Sequence, residues 1–218
     1  MTTRVLLVDD DALVIAGLRM LLAGDPGIEV VGDAGDGALL VAAVRETRPD
    51  VVLLDIRMPG LDGVSALRSL RAEPEPHPAV LMLTTFGAEP VVLDALRAGA
   101  SGYILKHTPP ERIVAAIHDA AAGESTVSPA VLKQLIDRLA GAVAGDRTPA
   151  VDPLEGLTAR EREVALAVAD GLSNSEIAER LHLSVGSVKA HISSALAKRG
   201  LDNRVQLAIA AHESRPRT

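Results

Sequence analysis

The chain of 218 residues contains no cysteine and no tryptophan, and only one tyrosine and one phenylalanine. Without cysteine it can form no disulfide, thiolate metal site or thiol nucleophile, so we expect a protein of the reducing cytoplasm. Because aromatic residues make up 1% of the sequence, its cores must be built from Leu, Val, Ile and Ala. Nucleic-acid folds that stack bases on aromatic side chains are disfavoured for the same reason.

Long apolar runs are also missing from the sequence. No segment approaches the roughly 20 apolar residues that a membrane-spanning helix requires. Acidic residues follow the first apolar run directly, which is wrong for a signal peptide. The net charge of −7 comes from residues before Ala150, since later residues carry as many basic as acidic groups. Within that neutral part the basic residues gather from Ser187 onward, the asymmetry that contact with nucleic acid needs.

Residues 1–122 alternate short apolar segments with segments of helical spacing. Repeated strand–helix units of this length predict βαβ connections, and therefore a parallel sheet with helices on both faces. We expect an α/β doubly wound domain with five strands. The predicted strands are 4–8, 28–32, 50–54, 79–83 and 101–105, and the predicted helices are 12–23, 36–47, 62–71, 89–98 and 110–122.

The remainder of the chain has a different organisation. Residues 123–152 are predicted to form a linker, with a helix over 129–143 followed by a flexible, turn-rich segment. From 153 to 218 the pattern is helical throughout, which predicts a small all-α domain. Two capping boxes indicate where helices begin, formed by Thr158 with Glu161 and by Ser173 with Glu176.

Polar side chains stand at the carboxyl ends of the predicted strands. Asp9 and Asp10 follow the first strand, and Asp55 follows the third in the segment VVLLDIRMPG. Ligands of open parallel sheets bind at this edge where the strand order reverses, so the three carboxylates should converge. A divalent cation would stabilise such a cluster, and Mg²⁺ fits because it takes oxygen ligands and keeps waters for a phosphate. Thr84 and Lys106 end the fourth and fifth strands with a hydroxyl and an ammonium suited to phosphoryl transfer.

This constellation resembles the receiver domain of bacterial two-component response regulators. The resemblance covers residues 1–122 and implies a flavodoxin-like fold in which Asp55 accepts a phosphoryl group from a histidine kinase. It implies a Mg²⁺ site formed by Asp9 (through water), Asp10, Asp55 and the backbone carbonyl of Arg57. It also implies that Thr84 and Lys106 contact the phosphoryl group, and that Thr84 and Tyr103 form the switch.

The helical end contains the segment SNSEIAERLHLSVGSVKAHISSAL, which has the proportions of a helix-turn-helix. Helical spacing directs one set of side chains toward a core: Ile177, Ala178, Leu181, Leu183 and Val188. The segment and its flanks resemble the LuxR-type output domain of the NarL/FixJ class. That resemblance implies DNA contacts near the start of the second helix, phosphate contacts after it and subunit pairing by the last helix. The residues implied are Ser184, Ser187, Val188, Lys189 and His191 for DNA, Lys198 and Arg199 for phosphates, and Val205 for dimerisation.

These features predict a phosphorylation-controlled transcriptional regulator rather than an enzyme, with a receiver that supports only its own phosphoryl transfer and dephosphorylation. The expected partners are a histidine kinase, promoter DNA and a second copy that pairs on phosphorylation or DNA binding, with no membrane partner. A haloacid-dehalogenase-like phosphatase would need an Asp where Arg57 stands. Two alternatives stay open: a constitutive DNA-binding regulator with a vestigial receiver, and a helical bundle for protein contacts only.

Overall fold

The computed structural model divides the chain into two compact units, Met1–Thr126 and Val127–Thr218. The predicted linker helix over 129–143 and the flexible segment after it lie outside the described residues. Among the described residues, no helix is long and apolar enough to cross a membrane. The structure describes residues 2–74, 77–84, 89–123 and 152–215.

The first unit contains a five-stranded parallel sheet with the strand order β2-β1-β3-β4-β5. Because β1 pairs with β2 on one side and with β3 on the other, the strand order reverses at β1. This arrangement confirms the predicted doubly wound fold. The strands are β1 (Thr3–Val8), β2 (Ile28–Ala34), β3 (Val51–Asp55), β4 (Ala79–Thr84) and β5 (Gly102–Leu105).

The central strands are buried on both faces of the sheet. Every residue of β3 is buried, and the last four residues of β1 have no exposed area. Successive side chains of a strand point to opposite faces, so burial of all of them requires helices on both sides. The apolar segment before Asp55 therefore carries that carboxylate to the edge of the most buried part of the sheet.

Among the described residues of the first unit, four helices connect the strands and a fifth follows β5, and aspartate side chains begin two of the five. Asp11 accepts a hydrogen bond from the Leu13 N–H, and Asp62 accepts one from the Ser65 N–H. The second predicted helix begins later than expected, because residues Gly37–Leu39 form a 3₁₀ turn ahead of it. The helices are α1 (Ala12–Leu22), α2 (Leu40–Thr47), α3 (Gly63–Arg71), α4 (Glu89–Arg97) and α5 (Pro110–Ala121).

The described part of the second unit is helical throughout, as predicted. Both capping boxes form: the hydroxyl at each helix start accepts the N–H of the Glu three residues on, and that Glu carboxylate accepts the N–H of the capping residue. Apolar side chains from all of the helices fill the core, among them Val164, Ile177, Val188 and Leu207. The helices are α6 (Ala159–Ala169), α7 (Asn174–Leu181), α8 (Val185–Arg199) and α9 (Arg204–Glu213).

Gly63 allows α3 to begin against the end of β3. Its N–H donates to the Ile56 carbonyl at 3.0 Å, and a Cβ at this position would lie 2.0 Å from the Asp55 carbonyl oxygen. No real side chain tolerates that distance to a backbone atom. The missing side chain therefore sets how closely the loop after Asp55 folds back on the strand.

Replacing Gly63 by Ala should lower the free energy of unfolding of the first unit by about 1–3 kcal/mol, because the new methyl group overpacks the Asp55 backbone. The measurement is urea unfolding followed by circular dichroism. Gly17→Ala in α1 is the control, since no atom lies within 4 Å of its new Cβ. That change should stabilise the helix by about 0.5–1 kcal/mol. Equal unfolding midpoints in the two variants would contradict the close contact at Gly63.

Candidate functional site

Three carboxylates meet where β1 and β3 end side by side. Asp9 and Asp10 follow β1, Asp55 closes β3, and one oxygen from each lies within 4.8 Å of the other two. Asp9 and Asp55 are buried, whereas Asp10 is exposed. The pairing of β1 with β3 thus brings together acids that lie far apart in the sequence, and Asp10 opens the group to solvent.

Lys106 neutralises part of this charge from the end of β5. Its Nζ lies 2.6 Å from Asp9 Oδ2 and 2.9 Å from Asp55 Oδ1, and its side chain is 18% exposed. The lysine is placed by its own backbone N–H, which donates to the Thr84 carbonyl at 2.8 Å. One ammonium against three carboxylates leaves the site negative, so its oxygen-rich donor set suits a hard divalent cation.

Burial governs the protonation of this site. It raises the pKa of Asp55, and the hydrogen bond and charge of Lys106 act in the opposite direction. Burial also disfavours the Lys106 ammonium, but the hydrogen bonds to Asp9 and Asp55 outweigh it and raise the pKa of the lysine. The lysine is therefore a permanent cation at neutral pH, and the Asp55 carboxylate is poorly solvated. Further positive charge beside Asp55 would stabilise its ionised form.

The loop after β3 forms one wall of a groove beside these acids. The groove has a volume of about 530 Å³, and it is lined by Asp10, Ile56, Arg57, Met58, Pro59, Asp62 and Val91. Asp36 anchors the loop by accepting the Leu61 N–H at 3.2 Å. A Cβ on Gly60 would lie 2.0 Å from Asp36 Oδ2, so glycine is needed for this approach. Asp36, in the loop after β2, therefore holds in place the loop that lines the groove.

In the second unit, α7 and α8 form the predicted helix-turn-helix. The turn includes His182 in a left-handed conformation, with φ of 53°. The Ser184 hydroxyl begins α8 by accepting the Ser187 N–H at 3.0 Å. Along α8 one face is buried in the core and the other faces solvent. Buried positions are Val188, Ile192 and Ala195, and exposed positions include Val185, Gly186, Lys189, Ala190, Ser193 and Ala197.

A buried carboxylate ties α6 to α8. Glu161, whose side chain is 5% exposed, accepts hydrogen bonds from Lys198 Nζ at 2.8 Å and from Ser194 Oγ at 2.7 Å. It also accepts the Thr158 N–H at 2.7 Å. These hydrogen bonds, that of Lys198 foremost, lower the pKa of Glu161 to about 2. The ion pair therefore persists at any physiological pH.

Comparisons with protein families agree with both units. The family model for the response regulator receiver domain matches residues 5–118, and the model for bacterial regulatory proteins of the luxR family matches residues 155–211. The chain belongs to the response regulator family. Both family resemblances predicted from the sequence, and the order of the two domains, are confirmed.

Relatives match this response regulator over nearly its whole length. It is 39% identical to the DNA-binding transcriptional activator DevR/DosR of Mycobacterium tuberculosis, over 98% of this chain and 97% of the relative. It is 36% identical to the nitrate/nitrite response regulator protein NarL of Escherichia coli, over 97% and 95%. Among solved structures, the response regulator ChrA of a heme-sensing two-component system shares 36% identity over 96% of each chain, with a TM-score of 0.51.

The structure of the response regulator brings most of the predicted receiver residues together. Asp9, Asp10, Asp55 and Lys106 form one cluster, and the Arg57 N–H donates to Asp55 Oδ2 at 3.1 Å. Two further residues lie on the strands beside it. Thr84 is buried at the end of β4, and Tyr103 is half-buried on β5, paired with Met82 of β4. The roles assigned to these residues stay predictions.

Two residues predicted for the output domain lie in its core. Val188 has no exposed area, so the prediction that its side chain faces DNA is wrong: helical spacing places it on the buried face with Ile192. Val205 is 1% exposed on α9, so its side chain packs inside the domain, and subunit pairing by the last helix around Val205 stays a prediction. Burying these apolar side chains inside the small domain stabilises the fold.

The remaining predicted DNA contacts are exposed or partly exposed, but several already have hydrogen-bond partners. Lys198 is paired with Glu161, and Arg199 donates to the Glu155 carbonyl at 2.9 Å. Their phosphate contacts stay predictions that compete with these bonds. The hydroxyls of Ser184 and Ser187 lie 2.8 Å apart. Sequence reasoning missed three exposed residues on α8. Val185 and Ser193 lie one turn from Lys189, where helical spacing could have found them, and Ala190 lies next to it.

Replacing Glu161 by Gln should lower the melting temperature of the second unit at pH 7. A carboxyl whose pKa falls from 4.5 to about 2 contributes its full stability above pH 4.5 and loses it as the pH falls toward 2. The difference from the unsubstituted chain should therefore shrink over that range, measured by calorimetry. Glu163→Gln on the same helix is the control, because Glu163 is 52% exposed and its pair with Arg160 contributes little. A difference that stays constant from pH 5 to 2 would argue against the assignment.

Proposed function

We propose that the chain is a phosphorylation-controlled transcriptional regulator in which Asp55 accepts a phosphoryl group from a histidine kinase. In this proposal residues 1–122 are the receiver, 123–152 the linker and 153–218 the DNA-binding domain. The observation that carries it is the position of Asp55: buried, hydrogen-bonded to Lys106 and within 4.8 Å of two further carboxylates at the carboxyl edge of the sheet.

The phosphoryl transfer requires little covalent chemistry from the protein. An Asp55 carboxylate oxygen forms the new bond to phosphorus, and the bond from phosphorus to the donor's imidazole nitrogen breaks. Lys106 already contacts Asp55, so its ammonium is positioned to pair with a phosphoryl oxygen. The groove of about 530 Å³ gives the donor access. Catalysis is then a matter of positioning and charge neutralisation.

Mg²⁺ fits the donor set of this site. Asp10, Asp55 and the Arg57 carbonyl would hold it directly, and Asp9 would act through water. The bound ion would supply positive charge against the oxygens of the transferred group. Asp9 and Asp55 each have one oxygen on Lys106, and a backbone N–H donates to the other: that of Asp11 for Asp9 and that of Arg57 for Asp55. Asp10 is exposed and offers the most accessible carboxylate of the three.

Phosphorylation adds between one and two negative charges to a site that is already acidic. Lys106 and the hydroxyl of Thr84 are the groups of the chain that can compensate for them. We expect Thr84 to move inward and Tyr103 to follow, which reshapes the surface formed by α4, β5 and α5. That two-state change would favour receiver dimerisation or release of the output domain. The receiver then acts only on its own phosphoryl group, by transfer and later hydrolysis.

In the output domain, α8 would read the major groove of promoter DNA. Its N-terminal part offers Ser184, Ser187, Lys189 and His191, of which Ser184 and Lys189 are exposed. Recognition helices of this motif meet base edges with the same part. A dimer would bind paired half-sites, and α9 around Val205 would pair the subunits through partly exposed residues such as Ile209. DevR/DosR, described as a DNA-binding transcriptional activator, supports this proposal.

Replacing Asp55 by Asn should abolish phosphoryl incorporation from acetyl phosphate, because the amide cannot form the acyl phosphate. Promoter binding should then no longer respond to acetyl phosphate in a gel-shift titration. Asp62→Asn is the control, since Asp62 lies in the same loop and caps α3, and asparagine caps equally well. A phosphate response that persists in the Asp55 variant would defeat the assignment. Incorporation without any change in DNA binding would instead favour a vestigial receiver.

Replacing Asp10 by Asn should weaken Mg²⁺ binding to the chain by at least about tenfold, because one charged oxygen ligand is lost. The chain has no tryptophan whose fluorescence could report binding, so the dissociation constant is measured by isothermal titration calorimetry. The control is Asp11→Asn at the next position, where the side chain caps α1 and asparagine can replace it. Equal Mg²⁺ affinity in the Asp10 and Asp11 variants would contradict the proposed ligand set.

A further inference from the structure

Val185 is a large apolar side chain on the surface of the second unit, with 40% of its area exposed. A single exposed valine is ordinary on a protein surface. Its position is not ordinary, because it is the first residue of α8, the helix proposed to enter the major groove. Lys189, one turn later, and Ala190 beside it are exposed as well. The start of α8 therefore presents two apolar groups and one ammonium.

The other side chains of this surface narrow the possible base contacts. Gly186 has no side chain, and Ser193 stands one turn beyond Ala190. The Ser184 hydroxyl accepts the Ser187 N–H and lies 2.8 Å from the Ser187 hydroxyl. No Asn, Gln or acidic residue lies on the exposed face of α8 within Val185–Arg199. These positions therefore cannot form the bidentate pair that Asn or Gln makes with adenine. They also cannot accept a hydrogen bond from the cytosine amino group, as acidic side chains do.

Apolar side chains distinguish one base in the major groove by a group that only thymine has, the C5 methyl. Short side chains such as valine and alanine also allow the helix to approach the base edges closely. Val185 and Ala190 are five residues apart, which corresponds to about 7.5 Å along a helix. That distance matches about two base-pair steps of DNA.

We propose that Val185 and Ala190 read the C5 methyl groups of two thymines about two base pairs apart in each half-site. Lys189 between them contacts acceptors on an adjacent base, guanine offering the best match. The inference rests on the proposed DNA-binding function and names the class of DNA sequence that the domain would bind. Neither Val185 nor Ala190 was among the residues that the family resemblance implied.

The test begins with duplexes selected from a random library by the full-length chain treated with acetyl phosphate. In the best duplex each thymine is replaced singly by deoxyuridine, which removes the methyl group and leaves base pairing intact. At two thymines per half-site, about two base pairs apart, the replacement should lower the affinity of the chain for the duplex about fourfold. That factor corresponds to the burial of one methyl group. Val185→Ala should reduce the loss at one of these thymines, and Ala190→Gly should remove the loss at the other.

Ala197→Gly is the matched control for Ala190→Gly. Ala197 lies on the same exposed face two turns further along α8, so its replacement by glycine destabilises the helix to the same extent. This control variant should still lose affinity when either thymine is replaced by deoxyuridine. Val185→Ala keeps a good helix former at an exposed position, which protects the test against misfolding. Uracil-insensitive binding, or penalties that are unchanged in both variants, would overturn the inference alone. Failure to select any duplex would overturn the proposed DNA-binding function together with it.

Discussion

One ammonium group holds the receiver site together. The Nζ of Lys106 bonds to Asp9 and Asp55 at the same time, so β1, β3 and β5 must end at the same level of the sheet. Burying two carboxylates without this cation would carry a large desolvation cost. The ion cluster therefore constrains where the three strands end, and the strands in turn position the charged groups. Any new charge on Asp55 must be accommodated by the same lysine.

This constraint explains how a small chemical change could alter a large surface. In the proposed function, a phosphoryl group on Asp55 would compete with Asp9 for Lys106, whose backbone N–H bonds to the Thr84 carbonyl at the end of β4. The loop on the other side is less free to respond. Gly60 packs against the Asp36 carboxylate and Gly63 against the Asp55 carbonyl, with no space for a side chain at either position. A response to phosphorylation would thereby be directed toward β4 and β5.

The output domain uses a second buried ion pair for a different purpose. Glu161 binds Lys198 and Ser194 of α8 while it closes the capping box of α6. The pair ties α8 to α6, and any contact of Lys198 with a DNA phosphate would compete with it. Arg199 is similarly bonded to the Glu155 carbonyl. In the proposed complex with DNA, base-edge contacts would fall to the short side chains at the N-terminal part of the helix, where shape and methyl groups would matter more than charge.

Local patterns in the sequence determined the order of strands and helices, both capping boxes and the acids at the strand ends, because each depends on residues only a few positions apart. Residues 36–47 show the limit of this reasoning, since Asp36 caps a 3₁₀ turn before α2 begins. Only the tertiary structure decided that Lys106 bridges Asp9 and Asp55, and that Glu161 captures Lys198, which is 37 residues away. It also decided that Val205 is buried, whereas helical spacing had already predicted a core position for Val188. These outcomes depend on strand order and helix packing, which bring distant residues together and which no local periodicity encodes.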